Sequence, residues 1–166
     1  MCFVTPLAMH TAKASHKILA PFSGKVVELT AVSDPVFAEK LTGDGLAILL
    51  ESDEVLAPCD GYITLFFDTK HAFALTTAEG IQILVHVGLD TVIMNGSGIT
   101  ACKKAGDYVT AGTPILKLDL ALLKKKKIDL ISPVLIVNYE RVQNLQIQPA
   151  GTRLTANKDT ALQFDL

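Results

Sequence analysis

Tryptophan is absent from this 166-residue chain, and aromatic residues make up only 6% of it. Platforms that stack bases or sugar rings are built from such side chains, so nucleic-acid and sugar-cleft functions are poorly supplied. A surplus of either charge is missing too. Fifteen Lys and Arg stand against 17 Asp and Glu, giving net −2 and a pI near 6.0 without the basic excess of a nucleic-acid binder. No apolar run approaches the roughly 18–20 residues that crossing a bilayer requires. The three cysteines, Cys2, Cys59 and Cys102, are odd in number and show no C-x-x-C spacing. That excludes a disulfide framework and a zinc ribbon, and it suits a reducing compartment. Residues 1–17 lack the charged-then-apolar pattern of a secretory signal and read as a loose leader carrying His10 and His16. One domain over residues 18–166, working in the cytoplasm, is the expectation.

What the chain does have is apolar content, 49% with a mean hydropathy of +0.38, enough for one core and too much for disorder. It comes in short pieces that alternate with a period near two and break at Gly, Pro or Asp. Strands are predicted at residues 25–29, 46–50, 61–66, 72–76, 81–87, 115–118, 134–137 and 161–164. Short helices are predicted over 35–40 after Asp34 and over 120–127 after Asp119, with Lys124–Lys127 solvated at the second helix's end. Two internal echoes accompany the pattern. Ala20-Pro21-Phe22-Ser23-Gly24-Lys25-Val26 resembles Ala57-Pro58-Cys59-Asp60-Gly61-Tyr62-Ile63. The stretch from Ala105-Gly106-Asp107 to Ala111-Gly112 resembles Ala150-Gly151-Thr152 to Ala156-Asn157, with one inserted residue further on. Duplicated turn–strand units imply a pseudo-symmetric, all-β, antiparallel sandwich or barrel.

The chemistry centres on His71 and His86. A four-residue loop, Thr77-Ala78-Glu79-Gly80, joins the two strands that carry them. Pairing Thr76 with Ile81 would set His71 directly opposite His86, Cβ atoms ~4.5–5.5 Å apart on one face. The other face would then send Ala72, Ala74, Ile81, Ile83, Val85 and Val87 to the core. Three readings fit two imidazoles abreast. One is phosphoryl transfer, a neutral ring nitrogen being a competent nucleophile near pH 7. Another is metal ligation by His71, His86 and Asp90, as in a duplicated-β zinc hydrolase with an H-x-x-x-D string. Such hydrolases also carry an H-x-H motif, which no histidine here provides. The third is a contact without chemistry, and the pattern alone leaves all three open.

Further residues carry a resemblance. Pro35-Val36-Phe37-Ala38-Glu39-Lys40, Gly43-Asp44-Gly45-Leu46-Ala47-Ile48, Thr69-Lys70-His71-Ala72-Phe73 and Leu84-Val85-His86-Val87-Gly88-Leu89-Asp90-Thr91-Val92 occur in that order. Together with Gly106-Asp107, Gly112, Asp119-Leu120 and Ser132-Pro133-Val134, they resemble the glucose-type enzyme IIA family of the bacterial phosphoenolpyruvate-dependent sugar phosphotransferase system, over roughly residues 18–166. The resemblance implies an antiparallel β-sandwich in which His86 Nε2 receives phosphate from phospho-HPr and passes it to a cysteine on the IIB domain of a sugar permease. It implies that His71 supports onward transfer, that Thr69 orients the His71 ring, and that Asp90 is the acidic residue beside the site. Val36 and Phe37 match an apolar rim for partners, and Phe73 is read as part of the same collar. No cofactor is implied; zinc between His71, His86 and a partner's carboxylate belongs only to complexes. Regulated transporters or kinases are further partners in that family. The chain departs from many relatives at Ile93-Met94-Asn95, and its leader lacks an amphipathic anchor. The sugar is a property of the permease and is not named by this sequence.

Overall fold

The computed structural model describes residues 14–166, so Cys2, His10 and most of the expected leader lie outside the described residues. Fourteen short strands account for most of the regular secondary structure. They are β1 (Ser15–Leu19), β2 (Gly24–Glu28), β3 (Asp44–Leu50), β4 (Glu54–Leu56), β5 (Gly61–Phe66), β6 (Ala72–Thr76) and β7 (Gln82–His86). The second half holds β8 (Ile99–Ala101), β9 (Tyr108–Val109), β10 (Pro114–Leu118), β11 (Ile131–Ile136), β12 (Gln143–Ile147), β13 (Arg153–Leu154) and β14 (Thr160–Asp165). All pairings are antiparallel. An eight-stranded sheet runs β13-β2-β3-β11-β7-β6-β5-β9, and two three-stranded sheets run β1-β14-β12 and β4-β10-β8. The helices are α1 (Pro35–Ala38) and α2 (Leu120–Lys125), capped by the side chains of Asp34 and Asp119, which accept from Val36 N and Leu122 N. Lys124, Lys125, Lys126 and Lys127 are all exposed at the C-terminal end of α2, where cations complement the helix dipole.

The sequence echoes are a structural duplication. Ala57 N donates to Thr113 O and Ala20 N to Asp159 O; Gly112 N donates to Ala57 O and Asn157 N to Ala20 O. Likewise Ile63 N reaches Asp107 O while Val26 N reaches Thr152 O, and Gly106 N reaches Ile63 O while Gly151 N reaches Val26 O. Even a side-chain contact recurs, Asp60 accepting from Ala111 N as Ser23 accepts from Ala156 N. The halves meet where Leu19 N donates to Pro58 O and Leu56 N to Pro21 O, two bonds exchanged by the pseudo-two-fold. At that join Gly112 has φ +87, and a Cβ on it would lie within 2.6–2.8 Å of the Asn157 side chain, so glycine is the residue that fits.

One main core fills the space between the sheets, with Phe22, Ile48, Ile63, Phe73, Leu75, Ile83, Val85 and Ile115 fully buried. The eight-stranded sheet also buries part of its outer face. There Ala47, Ala72, Ala74, Leu84 and Leu135 pack beneath Leu29, Val32 and Phe37, which the chain between β2 and β3 lays across them. Apolarity on both faces explains the uninterrupted run in β11, a strand read as half-buried would alternate.

The β6–β7 hairpin departs from its expected register by one residue. Thr76 pairs with Gln82, Phe73 with Val85 and Ala72 with His86, so neither histidine opposes the other in the ladder. The cause is the turn: Gly80, at φ +82, lets the loop take in Ile81, whose carbonyl accepts from Thr77 N. Ile81 is still buried in the main core, as are Ile83, Val85 and Val87, whereas Ala72 and Ala74 lie on the outer face. Phe73 is corrected as well. It is fully buried and stacks on Phe66, so it belongs to the core and not to a docking collar. His16 is likewise no tail residue, since β1 begins at Ser15 and the His16 ring stacks on Phe164 at 5.5 Å.

Replacing Phe73 with Ala should therefore cost about 3–5 kcal/mol of stability. Val36→Ala, at a position 46% exposed, should stay within about 0.5 kcal/mol. Urea unfolding of both variants against the parent checks this; equal costs would put Phe73 back at the surface.

Candidate functional site

His86 ends β7 on the outer face of the large sheet, opposite Ala72 and beside Leu84. Beyond it the ladder to β11 stops, because pairing covers only Val134–Ile136 and Pro133 has no N–H to offer. The chain instead turns at Gly88, φ +63, where an added Cβ would lie 2.6 Å from both Asp129 O and Thr91 Oγ1. That turn brings the Gly88 carbonyl to 2.7 Å from His86 Nδ1. A carbonyl only accepts, so Nδ1 carries the proton and Nε2 keeps its lone pair in the neutral ring.

His71 reaches the same place from the β5–β6 turn. Its carbonyl accepts from Val87 N at 2.7 Å, which continues the hairpin register. Strict alternation would then send its side chain into the core with Phe73. Lys70, at φ +57, breaks the pleat just before it, and the imidazole emerges on the outer face. There the two histidine rings lie edge to face with centroids 5.1 Å apart. Thr69 Oγ1 sits 2.5 Å from His71 Nδ1. With that hydroxyl donating, the His71 proton resides on Nε2 and is available to an oxyanion held between the rings.

Aromatic side chains wall the pair in. Phe37 meets His86 edge-on at 5.0 Å, and Phe67, which the sequence reading missed, covers His71 at 4.7 Å. A depression of about 450 Å³ opens beside both rings, lined by Phe37, Leu65, Phe67, Ala72, Ala74 and Leu84 among others. Leu65 and Phe67 are exposed on its rim, Phe37 is buried beneath, and Val36, next to Phe37 in the chain, is exposed but does not line it. Of the expected apolar rim, then, Val36 is surface and Phe37 is the floor. Asp90 lies exposed in the left-handed region just past Gly88. Its charge and that of Asp34 act on His86, but burial outweighs them. Desolvation, with a smaller contribution from the neighbouring His71, holds the His86 pKa below its ordinary 6.5, against the opposing Gly88 bond and the two carboxylates. Burial lowers His71 as well.

Both rings are therefore free bases at neutral pH, aimed by their Nδ1 contacts so that the two Nε2 atoms remain for chemistry. Among the described residues, no three His, Cys, Asp or Glu are grouped to hold a metal ion, so the His71–His86–Asp90 set of the alternative, metal-binding reading does not assemble. The two Nε2 atoms could supply two ligands, and a partner would have to bring the rest. Cys59 offers no rival nucleophile: burial, then Asp60 and Glu79, push its thiol up to about 12.

The chain has counterparts among known proteins. Residues 16–142 match the family model of the phosphoenolpyruvate-dependent sugar phosphotransferase system, EIIA 1. The chain is 46% identical to a PTS system glucose-specific EIIA component of Borreliella burgdorferi, over 80% of this chain and 70% of that one. It is 38% identical to the component of that name from Oceanobacillus iheyensis, over 88% of each. A glucoside-specific EIICBA component of Staphylococcus carnosus is 42% identical over 76% of this chain but only 18% of its own length. Among solved structures, the glucose permease IIA from Mycoplasma capricolum superposes with a TM-score of 0.84 at 34% identity, covering 93% of this chain and 99% of that one.

The lowered pKa values fix a pH dependence of stability. Between the folded pKa of these histidines and 6.5, the unfolded chain binds protons that the folded chain refuses, so stability rises with pH there. It is fully present above 6.5 and is lost as pH falls below it. Urea midpoints should drop from pH 7.5 to 5.5, and by less in the double variant H71Q/H86Q; equal drops would show that these rings are not the cause.

Proposed function

The chain belongs to the EIIA family of the phosphoenolpyruvate-dependent sugar phosphotransferase system, and from that membership we propose that His86 Nε2 is its phosphoryl acceptor. The protein is a phosphocarrier whose intermediate is a phosphohistidine. The observation that carries the assignment is the bond between His86 Nδ1 and the Gly88 carbonyl, which leaves Nε2 unprotonated on a ring packed against His71 beside an apolar depression.

In the acceptance step the His86 Nε2 lone pair attacks the phosphorus of phospho-HPr. The new N–P bond forms as the bond to the HPr histidine breaks, and that bonding pair stays on the HPr ring. Little covalent chemistry is asked of the surroundings beyond alignment and charge stabilisation. His71, oriented by Thr69, donates from Nε2 to a phosphoryl oxygen of the phosphohistidine and steadies the charge that develops when the group is passed on. In the donation step a thiolate on a permease IIB domain attacks the same phosphorus, and the N–P pair returns to His86 Nε2. The family works with permease IIB domains, and fused EIICBA relatives place all three units in one chain. HPr and IIB dock in turn on the exposed apolar side chains Leu65 and Phe67 at the rim, with Val36 beside Phe37 and Asp90 just past Gly88 as further contacts. No cofactor takes part in either step. The working compartment is the cytoplasm, consistent with free thiols at Cys59 and Cys102. Among the described residues no helix is long and apolar enough to cross a membrane.

The hydrolase alternative is not supported, because the family is that of a phosphocarrier and the three expected ligands do not converge. Incubation with phosphoenolpyruvate, enzyme I and HPr should add the mass of one phosphate, labile in acid and stable in base. His86→Ala should abolish the gain; retention of the label would remove His86 from its role. His71→Gln should still accept phosphate but pass it on at least about tenfold more slowly. Lost acceptance with intact donation would refute the role given to His71.

A further inference from the structure

Two hydroxyl residues lie completely buried among the described residues, Ser132 and Thr91, and no step above uses either. They come from opposite sides, β11 and the short turn after Asp90, yet both grip one peptide unit. Gly88 N–H donates to Ser132 Oγ at 2.8 Å. Thr91 Oγ1 donates to Val87 O, the other end of the same Val87–Gly88 peptide. The acceptor role of Ser132 is fixed, since its own proton goes to Leu130 O at 2.9 Å. The next peptide, Gly88–Leu89, is held by Leu89 N to Asp129 O at 2.8 Å, and its carbonyl is the acceptor for His86 Nδ1.

Glycine joins these two planes, and glycine by itself resists rotation less than any other residue. The Gly88 carbonyl is therefore steadied from two sides, by the Leu89 N–H on its own plane and by the hold on the plane before it. We propose that Ser132 and Thr91 are positioning residues that, by clamping the Val87–Gly88 peptide, aim the Gly88 carbonyl at His86 Nδ1 and so keep the ring in its Nδ1–H tautomer. Unlike Thr69, which touches an imidazole directly, they act through backbone. A hydroxyl at either position is no requirement of the core: Ser132 points into the same apolar interior as Val134, where an alkyl side chain would serve packing as well. What an alkyl side chain cannot do is hold Gly88 N–H, or the Val87 carbonyl, in one direction.

The test reads the ring nitrogens of His86 by 15N NMR in the unphosphorylated protein, with Ser132→Ala and Thr91→Val against the parent, and Thr91→Ser as the conservative control. In the parent, Nδ1 should resonate as a protonated nitrogen and Nε2 as a bare one. In S132A and T91V the two signals should move toward each other as the tautomers mix, and T91S should restore them. Phosphoryl acceptance should fall about tenfold or more in the first two variants, the size usual when a partner that fixes a histidine tautomer is lost. If S132A does not fold, Ser132→Cys supplies a weaker acceptor and a smaller shift in the same direction; if neither folds, T91V decides alone. Unchanged ring-nitrogen shifts in the folded variants would overturn the proposal. It rests on His86 being the acceptor for its consequence in transfer, but not for its readout. A parent protein that takes no phosphate would refute the phosphocarrier chemistry while the nitrogen shifts still decided the clamp.

Discussion

Everything at this site follows from where one proton sits. A neutral imidazole is a nucleophile only at its bare nitrogen, and the two nitrogens are nearly equivalent until something distinguishes them. Here the Gly88 carbonyl, 2.7 Å from His86 Nδ1, makes the distinction. That carbonyl exists in position because β7 runs out at His86, because Pro133 denies the ladder another rung, and because only glycine tolerates φ +63 against Asp129 and Thr91. The sheet delivers the ring, and the failure of the sheet to continue delivers its hydrogen-bond acceptor.

The second constraint is burial on both faces of the large sheet. Its inner face closes the main core, and its outer face is apolar enough to need cover from Leu29, Val32 and Phe37. Where that cover ends, the two histidines begin, with Phe37 against one ring and Phe67 against the other. Desolvation at such an edge does two things together. It keeps His86 unprotonated at neutral pH, and it sets an apolar depression beside the ring.

How much of this could be read from the sequence depended on the length of each signal. Strands at 61–66 and 72–76 were legible to the residue, as were both helix caps, because period-two alternation and an Asp before a helical turn are local features. The duplication was legible from its Pro and Gly positions and reappears bond by bond across the pseudo-two-fold. Pieces of two or three residues, such as Glu54–Leu56, Tyr108–Val109 and Arg153–Leu154, carry no measurable period and escaped. So did Gln143–Ile147, whose polar residues pair with β14 at a sheet edge. Phe73 looked like a collar residue because it neighbours His71 in sequence. A single register step, set by Gly80, sends it to the core instead.

The histidine pair shows why a right conclusion can come from a wrong register. Direct opposition of His71 and His86 was an argument from loop length, and the loop holds one residue more than it assumed. In an ideal hairpin that slip would have put the rings on opposite faces. It does not, because Lys70 takes a left-handed conformation and His71 lies before the first rung of β6, where pleating no longer dictates direction. Two departures from regular geometry cancel, one at each end of the hairpin. Thr69 then fixes the outcome by holding Nδ1 of the ring that the turn has released. Period-two reasoning is thus dependable inside a ladder and silent at its ends, and the groups that meet at this site, His71, His86 and the Gly88 carbonyl, all stand at ends.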